Sequence, residues 1–293
     1  METKTPYHEP VLLKEVLKWL KVEEKNRKVY LDATVGLGGH SLAILENSDT
    51  SFLYGFEWNE DSYELALKRL EKYKERIKLY NQNFIFAKEI LQQEKVLVDG
   101  ILLDLGLSSF LLEGSKRGFS YQKDEPLDMR INLELNLTAK DLLHRSSYEE
   151  LVTIFKKGEV PKAESLAKKI VEKRKKKNFE TTFDLVTLIK ELYPSPKRIN
   201  QILPIVFQSL RIEVNKELEN LKKALEDLPE ILKPGGRLVV ISFHSLEDRL
   251  VKEFFKRDGR LKVLTKKPIV PDLTEIKHNP RSRSAKMRVG ERI

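Results

Sequence analysis

The stretch Asp32-Ala-Thr-Val-Gly36-Leu-Gly38-Gly39-His40-Ser41 constrains this chain more than any other. It follows a short apolar run, Val29-Tyr30-Leu31, and precedes a helical run, Leu42 to Glu46. The order is strand, glycine turn, helix. Gly36, Gly38 and Gly39 let the backbone turn sharply and approach a ligand where a Cβ would collide. The N–H groups opening the next helix then face whatever is bound. Glu57 ends the next apolar run, Phe52 to Phe56. It stands about 20 residues beyond the turn, where nucleotide folds place a ribose-binding carboxylate. The pattern points to a nucleoside-binding turn. The bland alternative is a plain strand-to-helix connection, since glycine-rich turns are common.

Which nucleoside is narrowed by what the stretch lacks. A dinucleotide fingerprint needs a third glycine where Ser41 stands, and a P-loop needs Gly-Lys-Ser/Thr, which is absent. The form Asp-x-x-x-Gly-x-Gly-Gly suits S-adenosylmethionine, which has a ribose and a methionine tail but no phosphate to cradle.

A chain of 293 residues, 40% hydrophobic, can hold one large domain or two moderate ones. No apolar run approaches the roughly 18 residues of a membrane span. Met1 to Pro10 has no apolar core of a signal peptide, so a cytoplasmic location and no membrane are expected. Cysteine is absent, which removes disulfides, thiol nucleophiles and cysteine-zinc sites together. The histidines (His8, His40, His144, His244 and His278) show no metal-binding spacing, so no metal is expected. The net charge of +9 and pI near 9.3 point to a polyanionic partner, nucleic acid being the commonest. The charge is clustered, chiefly over Lys162–Lys177 and Lys277–Ile293, which favours a nucleic-acid footprint over general solubility. The run 173–177 also sits where a helix should end and where cations suit the helix dipole.

Strands are expected at Val29–Ala33, Phe52–Glu57, Ile77–Tyr80, Asp99–Leu105 and Arg237–Phe243, with edge strands at Leu261–Leu264 and Met287–Val289. Strands alternating with helices imply a parallel sheet with the ligand at its carboxyl edge. Asp32, Glu57, Phe84 and Asp104 all fall at such strand ends, and His244 follows the end of the fifth. Between Thr138 and Leu192 the text is helical, broken at Pro194 and Pro196. A long helix is expected from Phe207 to Leu232. The expected architecture is α/β: residues 1–112 and 204–293 form one domain, and 113–203 a helical insertion.

The chain resembles the RsmH (MraW) family, S-adenosylmethionine-dependent methyltransferases of cytidine N4 in bacterial 16S rRNA. The resemblance runs from His8 nearly to the C-terminus. It is carried by His8-x-Pro-Val-Leu-Leu, the 32–41 stretch, Asp104-Leu-Gly-Leu-Ser-Ser109, Arg117-Gly-Phe-Ser, Pro126-Leu-Asp-Met-Arg130, Phe207-Gln-Ser-Leu-Arg-Ile-x-Val-Asn215, Pro234-Gly-Gly-Arg, Ser242-Phe-His-Ser-Leu-Glu-Asp248 and Asn279-Pro-Arg-Ser-Arg-Ser-Ala. It implies a Rossmann-like class I sheet, with the helical insertion serving RNA recognition. It implies S-adenosylmethionine as cofactor, held by Gly38, Gly39, His40, Glu57, Phe84 and Asp104. It also implies a partner, 16S rRNA of the decoding region within the 30S subunit. Glu57 could accept both ribose hydroxyls, Phe84 could stack on adenine, and His40 could donate to the methionine carboxylate or merely cap its helix.

Three departures stand out. The family has Asp where Glu57 stands. Its loop Ser-Ser-Pro-Gln is here Ser108-Ser109-Phe110-Leu111, so the glutamine contact to the donor is missing. Its Pro-Ala-Thr-Arg is here Ile202-Leu-Pro-Ile205, which moves any arginine role to Arg198 or removes it.

For the chemistry, Ser108, Ser109 and His244 are the candidates for holding the cytosine amine, with Asn215 and Asp128 behind them. Arg117 and Arg130 could grip phosphates or form salt bridges. If residues 281–283 are extended, Arg281 and Arg283 share one side and suit a phosphate row. His244, Ser245 and Asp248 are too crowded for a hydrolytic triad and lack its nucleophile elbow. A nicotinamide oxidoreductase would share the fold, and a non-enzymatic RNA-binding assembly protein would share the charge. Either a monomer or a homodimer is compatible with the text.

Overall fold

The computed structural model describes residues 9–23 and 27–293, so His8 lies outside the described residues. The chain divides into two compact units, residues 1–109 with 219–293, and residues 110–218.

In chain order the first unit supplies α1 (Leu13–Trp19), β1 (Val29–Asp32), α2 (Gly39–Glu46), β2 (Phe52–Phe56), α3 (Glu60–Leu70), β3 (Ile77–Tyr80), α4 (Ala87–Gln93) and β4 (Val98–Asp104). The short α5 (Ser109–Glu113) leads into the second unit, which holds α6 (Ala139–Arg145), α7 (Tyr148–Lys157), α8 (Ala163–Arg174), α9 (Thr182–Leu192) and α10 (Pro196–Asn215). The chain returns through α11 (Glu217–Asp227) to β5 (Leu232–Ser242), α12 (Ser245–Arg257), β6 (Leu261–Val263), α13 (Leu273–His278) and β7 (Lys286–Arg292).

Among the described residues, seven strands run in the order β3-β2-β1-β4-β5-β7-β6. The first five are parallel, and β7 is antiparallel to both β5 and β6. This is the Rossmann-like class I methyltransferase sheet. Because side chains alternate across a strand, neighbours go to opposite faces. Leu31, Leu103 and Val240 pack with α4, α11 and α12 on one face. Tyr30, Leu102 and Val239 pack with α1, α2 and α3 on the other. Parallel strands covered on both sides read as unbroken apolar runs, as Ile101-Leu-Leu103 does. Strand order reverses between β1 and β4, which opens the crevice where such sheets bind ligands.

In the second unit, side-chain caps set where helices begin. Thr138 with Asp141, Ser147 with Glu150 and Thr181 with Asp184 form capping boxes opening α6, α7 and α9. Helix α7 packs on α8 and on α10. Leu143, Phe155, Leu166, Ile170, Phe179 and Leu185 are fully buried.

Two expectations change. The helix expected over Phe207–Leu232 is two helices, the first opening at Pro196 with Pro204 inside it. An interior proline costs about 3 kcal/mol. Here Ile202, Leu203, Val206, Phe207 and Leu210 are buried around it, and each such side chain returns about 1.5–3 kcal/mol. The helix stops at Lys216, which is left-handed at φ 52°, and not at a proline. The strand expected from Arg237 begins earlier, at Leu232, so that Pro234-Gly-Gly lies inside β5 at a shift of register against β4, with Gly235 at φ 77°.

Asn215 and Asp128 are engaged within the second unit. Asn215 is buried, donates to the carbonyls of Met129 and Arg211, and accepts from the Ile131 N–H. Asp128 is held bidentately by Arg130. Asn215→Ala should therefore leave several backbone groups unpaired. It is expected to cost about 2 kcal/mol or more of stability in denaturant unfolding; a midpoint equal to that of the unmodified chain would contradict this.

Candidate functional site

The site residues of the first unit converge on the carboxyl edge of β1, β2 and β4. Asp32 ends β1 and is fully buried. Its carboxylate accepts the Ser41 hydroxyl at 2.6 Å and the Thr34 N–H at 3.2 Å. Thr34 also turns its hydroxyl to the Asp104 N–H at 2.7 Å, which ties the ends of β1 and β4 together. Burial raises Asp32 to about 6, against the lowering effect of these hydrogen bonds.

The glycine turn follows. Gly36 has φ 56°, and Gly38 has φ 77° at the N-cap of α2. A Cβ on Gly39 would lie 2.6 Å from Pro10 Cγ. The Gly36 N–H donates to Glu57 Oε2 at 2.7 Å, and the Asn59 N–H donates to Oε1 at 2.7 Å. Glu57 thus sits between the turn and the start of α3, which Asn59 caps. Burial raises Glu57 to about 7, with the Asp32 charge adding to it and the amides of Asn59, Gly36 and Trp58 pulling the other way. Asn81 donates to the Glu57 carbonyl at 2.9 Å and so aligns the end of β3 with that of β2. Phe84 follows that end, partly buried against the core.

His40, in the first turn of α2, is buried with neither ring nitrogen hydrogen-bonded. It caps nothing: Gly38 is the N-cap, and no side chain bonds there. Its Nε2 lies 3.8 Å from Asp104 Oδ2, and Asp104 Oδ1 also lacks a partner. Burial, aided by the Arg69 charge, lowers the imidazole to about 4. Burial raises Asp104 well above the usual carboxylate range, with Asp32 and Glu247 adding repulsion. Three buried polar atoms without partners at one strand edge are costly unless a ligand completes them.

Beyond β4, Ser108 Oγ pairs with Ser62 Oγ at 3.0 Å. Ser109 Oγ accepts from Arg281 Nη1 at 2.6 Å. Residues 280–284 form a 3₁₀ turn and not an extended segment, so Arg281 and Arg283 do not make a row. Arg281 turns inward to Ser109, while Arg283 is exposed. His244 is the N-cap of α12: its Nδ1 accepts the Glu247 N–H, and its Nε2 lies 3.1 Å from Glu247 Oε1. Asp248 is paired with Arg288 at 2.7 Å, which removes the third member of any triad.

In the second unit, Arg117 donates to the carbonyls of Arg130 and Ile131. Arg130 donates to Asp128 and to the carbonyls of Leu133 and Leu135. Both brace the 128–135 segment. Within the basic run, Arg174 caps the last carbonyls of α6, and Lys173 and Lys177 pair with Glu191 and Asp184. Lys175 and Lys176 are exposed. Leu111, where the family glutamine is missing, is buried.

A model of the MraW methylase family matches residues 5–293. The chain belongs to the MraW methylase family. Among its relatives is a ribosomal RNA small subunit methyltransferase H of Thermotoga neapolitana, 44% identical over 100% of this chain and 98% of that one. Proteins of the same name from Dictyoglomus turgidum (46% identical, 97% of each chain) and Kosmotoga olearia (44%, 98% and 97%) align as fully. The cofactor of this methyltransferase is S-adenosylmethionine, and the residues present fit it. The unpartnered His40 nitrogens and Asp104 Oδ1 can meet the polar amino-acid end of such a molecule, and Glu57 has lone pairs left for a ribose.

The contacts made by several site residues carried no signal in the text, even where, as for Pro10 and Thr34, the residue stood in a quoted motif. Thr34, Ser62, Arg69 and Pro10 act through contacts with chain segments distant in sequence or through short turns. Asn59, three residues before Ser62 at a helix start, was readable as a cap.

The acids make stability depend on pH. Asp32 keeps its proton in the folded chain up to about pH 6 but would lose it near 4 when unfolded. Its contribution is therefore fully present below about pH 4 and lost as pH rises through 6. Asp32→Asn, which still accepts from Ser41 but cannot ionise, is expected to gain melting temperature relative to the unmodified chain between about pH 4.5 and pH 8. A constant difference across that range in calorimetry would contradict the buried acid.

Proposed function

We propose that this chain methylates N4 of a cytidine in the decoding (P-site) region of 16S rRNA, acting on the 30S subunit. The observation that carries the reading is the trio of unpartnered atoms on His40 and Asp104, beside a glycine turn and Glu57. Relatives named for small-subunit rRNA methylation over their whole length support the substrate class.

When bound, S-adenosylmethionine supplies a methyl group on a sulfonium, already electrophilic enough to need no metal. Gly38 and Gly39 give backbone access beneath the methionine end. Asp104 Oδ1 accepts its ammonium, and His40 presents a neutral imidazole to its carboxylate. Glu57 receives the ribose hydroxyls, and Phe84 walls the adenine from water. The nucleophile is an amine whose lone pair is delocalised into its ring, so the chain must hold it in line and about 3 Å from the methyl carbon. Ser109 suits that task. Its oxygen accepts one bond from Arg281, which leaves a second lone pair for an amino hydrogen. Ser108, held by Ser62, shapes the same loop. The cytidine must leave its stack to reach the loop. His244 caps α12 through Nδ1, while its buried Nε2 makes no hydrogen bond and lines the wall of the site. Arg283, exposed, is the phosphate contact of this segment, and Arg281 orients Ser109. In the helical unit, Lys175 and Lys176 offer the exposed charge for RNA, while Arg117 and Arg130 hold the fold that presents it.

Tritium transfer from the labelled donor to 30S subunits, with the nucleoside identified by mass, tests the whole reading. N4-methylcytidine is expected; label in another nucleoside, or no transfer to either 30S particles or naked 16S rRNA, would overturn it. Ser109→Ala is expected to slow single-turnover transfer by about ten- to a hundredfold while leaving donor affinity within about twofold. An undiminished rate would remove Ser109 from the role.

A further inference from the structure

We infer that Arg69 is a positioning residue for the methyl donor: from α3 it grips the glycine turn and sets the direction of the amides that the donor meets. The inference rests on the proposed donor site at Gly38, Gly39, His40 and Glu57. Arg69 Nη1 donates to the Leu37 carbonyl at 3.1 Å. The same atom lies 3.6 Å from where a Cβ on Gly39 would stand. Leu37 precedes the left-handed Gly38, and the helix ladder begins only at the Gly38 carbonyl, which accepts from Leu42. The peptide between Leu37 and Gly38 therefore lies outside the ladder, and Arg69 holds its oxygen. Glycine leaves a turn more accessible conformations than any other residue, and here the Gly38 N–H bond to the Val35 carbonyl and the Arg69 bond to the Leu37 carbonyl restrict them together.

Neighbours of Arg69 complete the grip. A Cβ on Gly38 would sit 3.1 Å from Leu70 Cδ1 and 3.7 Å from Ala66 Cβ. Ala66, Arg69 and Leu70 stand three and four residues apart, on one face of α3. Pro10 lies against Gly39 at the same Cβ position that Arg69 Nη1 approaches. The turn is thus held between apolar contacts, and its Leu37–Gly38 peptide is fixed at both ends, by the Gly38 N–H on the Val35 carbonyl at 2.8 Å and by Arg69 on the Leu37 carbonyl. None of these groups touches the reacting atoms, so the effect belongs in donor binding and not in the chemical step.

The test uses the full chain, with S-adenosylhomocysteine as calorimetric probe and transfer to 30S subunits for kinetics. Arg69→Met keeps the stem and loses the donors; Arg69→Lys keeps a charge and one donor reach. Losing a charge-assisted hydrogen bond predicts about tenfold weaker probe binding and a matching rise in the donor KM for Arg69→Met, with kcat within about twofold. Arg69→Lys should recover most of the affinity, which a general loss of packing would not allow. Glu57→Ala is measured alongside. If Glu57→Ala loses probe binding while Arg69→Met keeps it within about twofold, Arg69 has no such role. If neither variant loses binding, the donor site beneath the inference is wrong and the inference falls with it. A drop in kcat with the donor KM unchanged would likewise overturn it, as would an Arg69→Lys variant no better than Arg69→Met. Should Arg69→Met fail to fold, the comparison of Arg69→Lys with the unmodified chain decides: an intermediate loss of affinity supports the grip, and full affinity with full stability contradicts it.

Discussion

Desolvation of carboxylates at the carboxyl edge of the sheet is the constraint on which the rest depends. The pairing of β1 with β4 brings Asp32 beside Leu102, and Thr34, two residues on, meets the Asp104 N–H and links the two strand ends. Asp32 is satisfied from within by Ser41 and Thr34. Asp104 is not, and neither is His40. A buried polar group without a partner costs about 1–3 kcal/mol. The fold tolerates several at one point because two apolar faces of the sheet more than offset them. Natural chains keep such a deficit where function needs it.

The same constraint gives the neighbouring residues their work. Glu57 is held by the Gly36 and Asn59 amides, so its orientation is set before any ribose arrives. Such preorganisation lowers the cost of binding. Ser109 is set in the same manner by Arg281. Across the site, Glu57, Ser108 and Ser109 are each fixed by a partner one step further out, whereas the trio on His40 and Asp104, and Nε2 of His244, are not.

Much of this was legible in the text, and the limits have physical causes. Strands buried on both faces announce themselves as apolar runs, which is why β1 to β4 fall within a residue or two of expectation. The glycine turn and Glu57 were readable because spacing along one βαβ unit is set by the fold. Pro204 misled, because burial of five neighbours outweighs the missing hydrogen bond of one proline. Arg117 and Arg130 were open to phosphates or to salt bridges, and Arg281 to a phosphate row; in the structure they bond carbonyls, Asp128 and Ser109. A guanidinium has five N–H donors, and a nearby carbonyl or carboxylate is a cheaper partner than a distant polyanion. Nothing in a linear text separates the two. Arg69 was invisible for the opposite reason: it sits in an ordinary amphipathic helix, and its significance comes only from the turn packed against it.

A crystal structure of the full chain with S-adenosylhomocysteine tests the central claim most directly. In that complex the amino-acid end of the ligand is expected to bond Asp104 Oδ1 and His40, the ribose to bond Glu57, and the glycine turn to keep its left-handed residues. A ligand bound at another edge of the sheet, or one bound here with His40 and Asp104 still unpartnered, would contradict it.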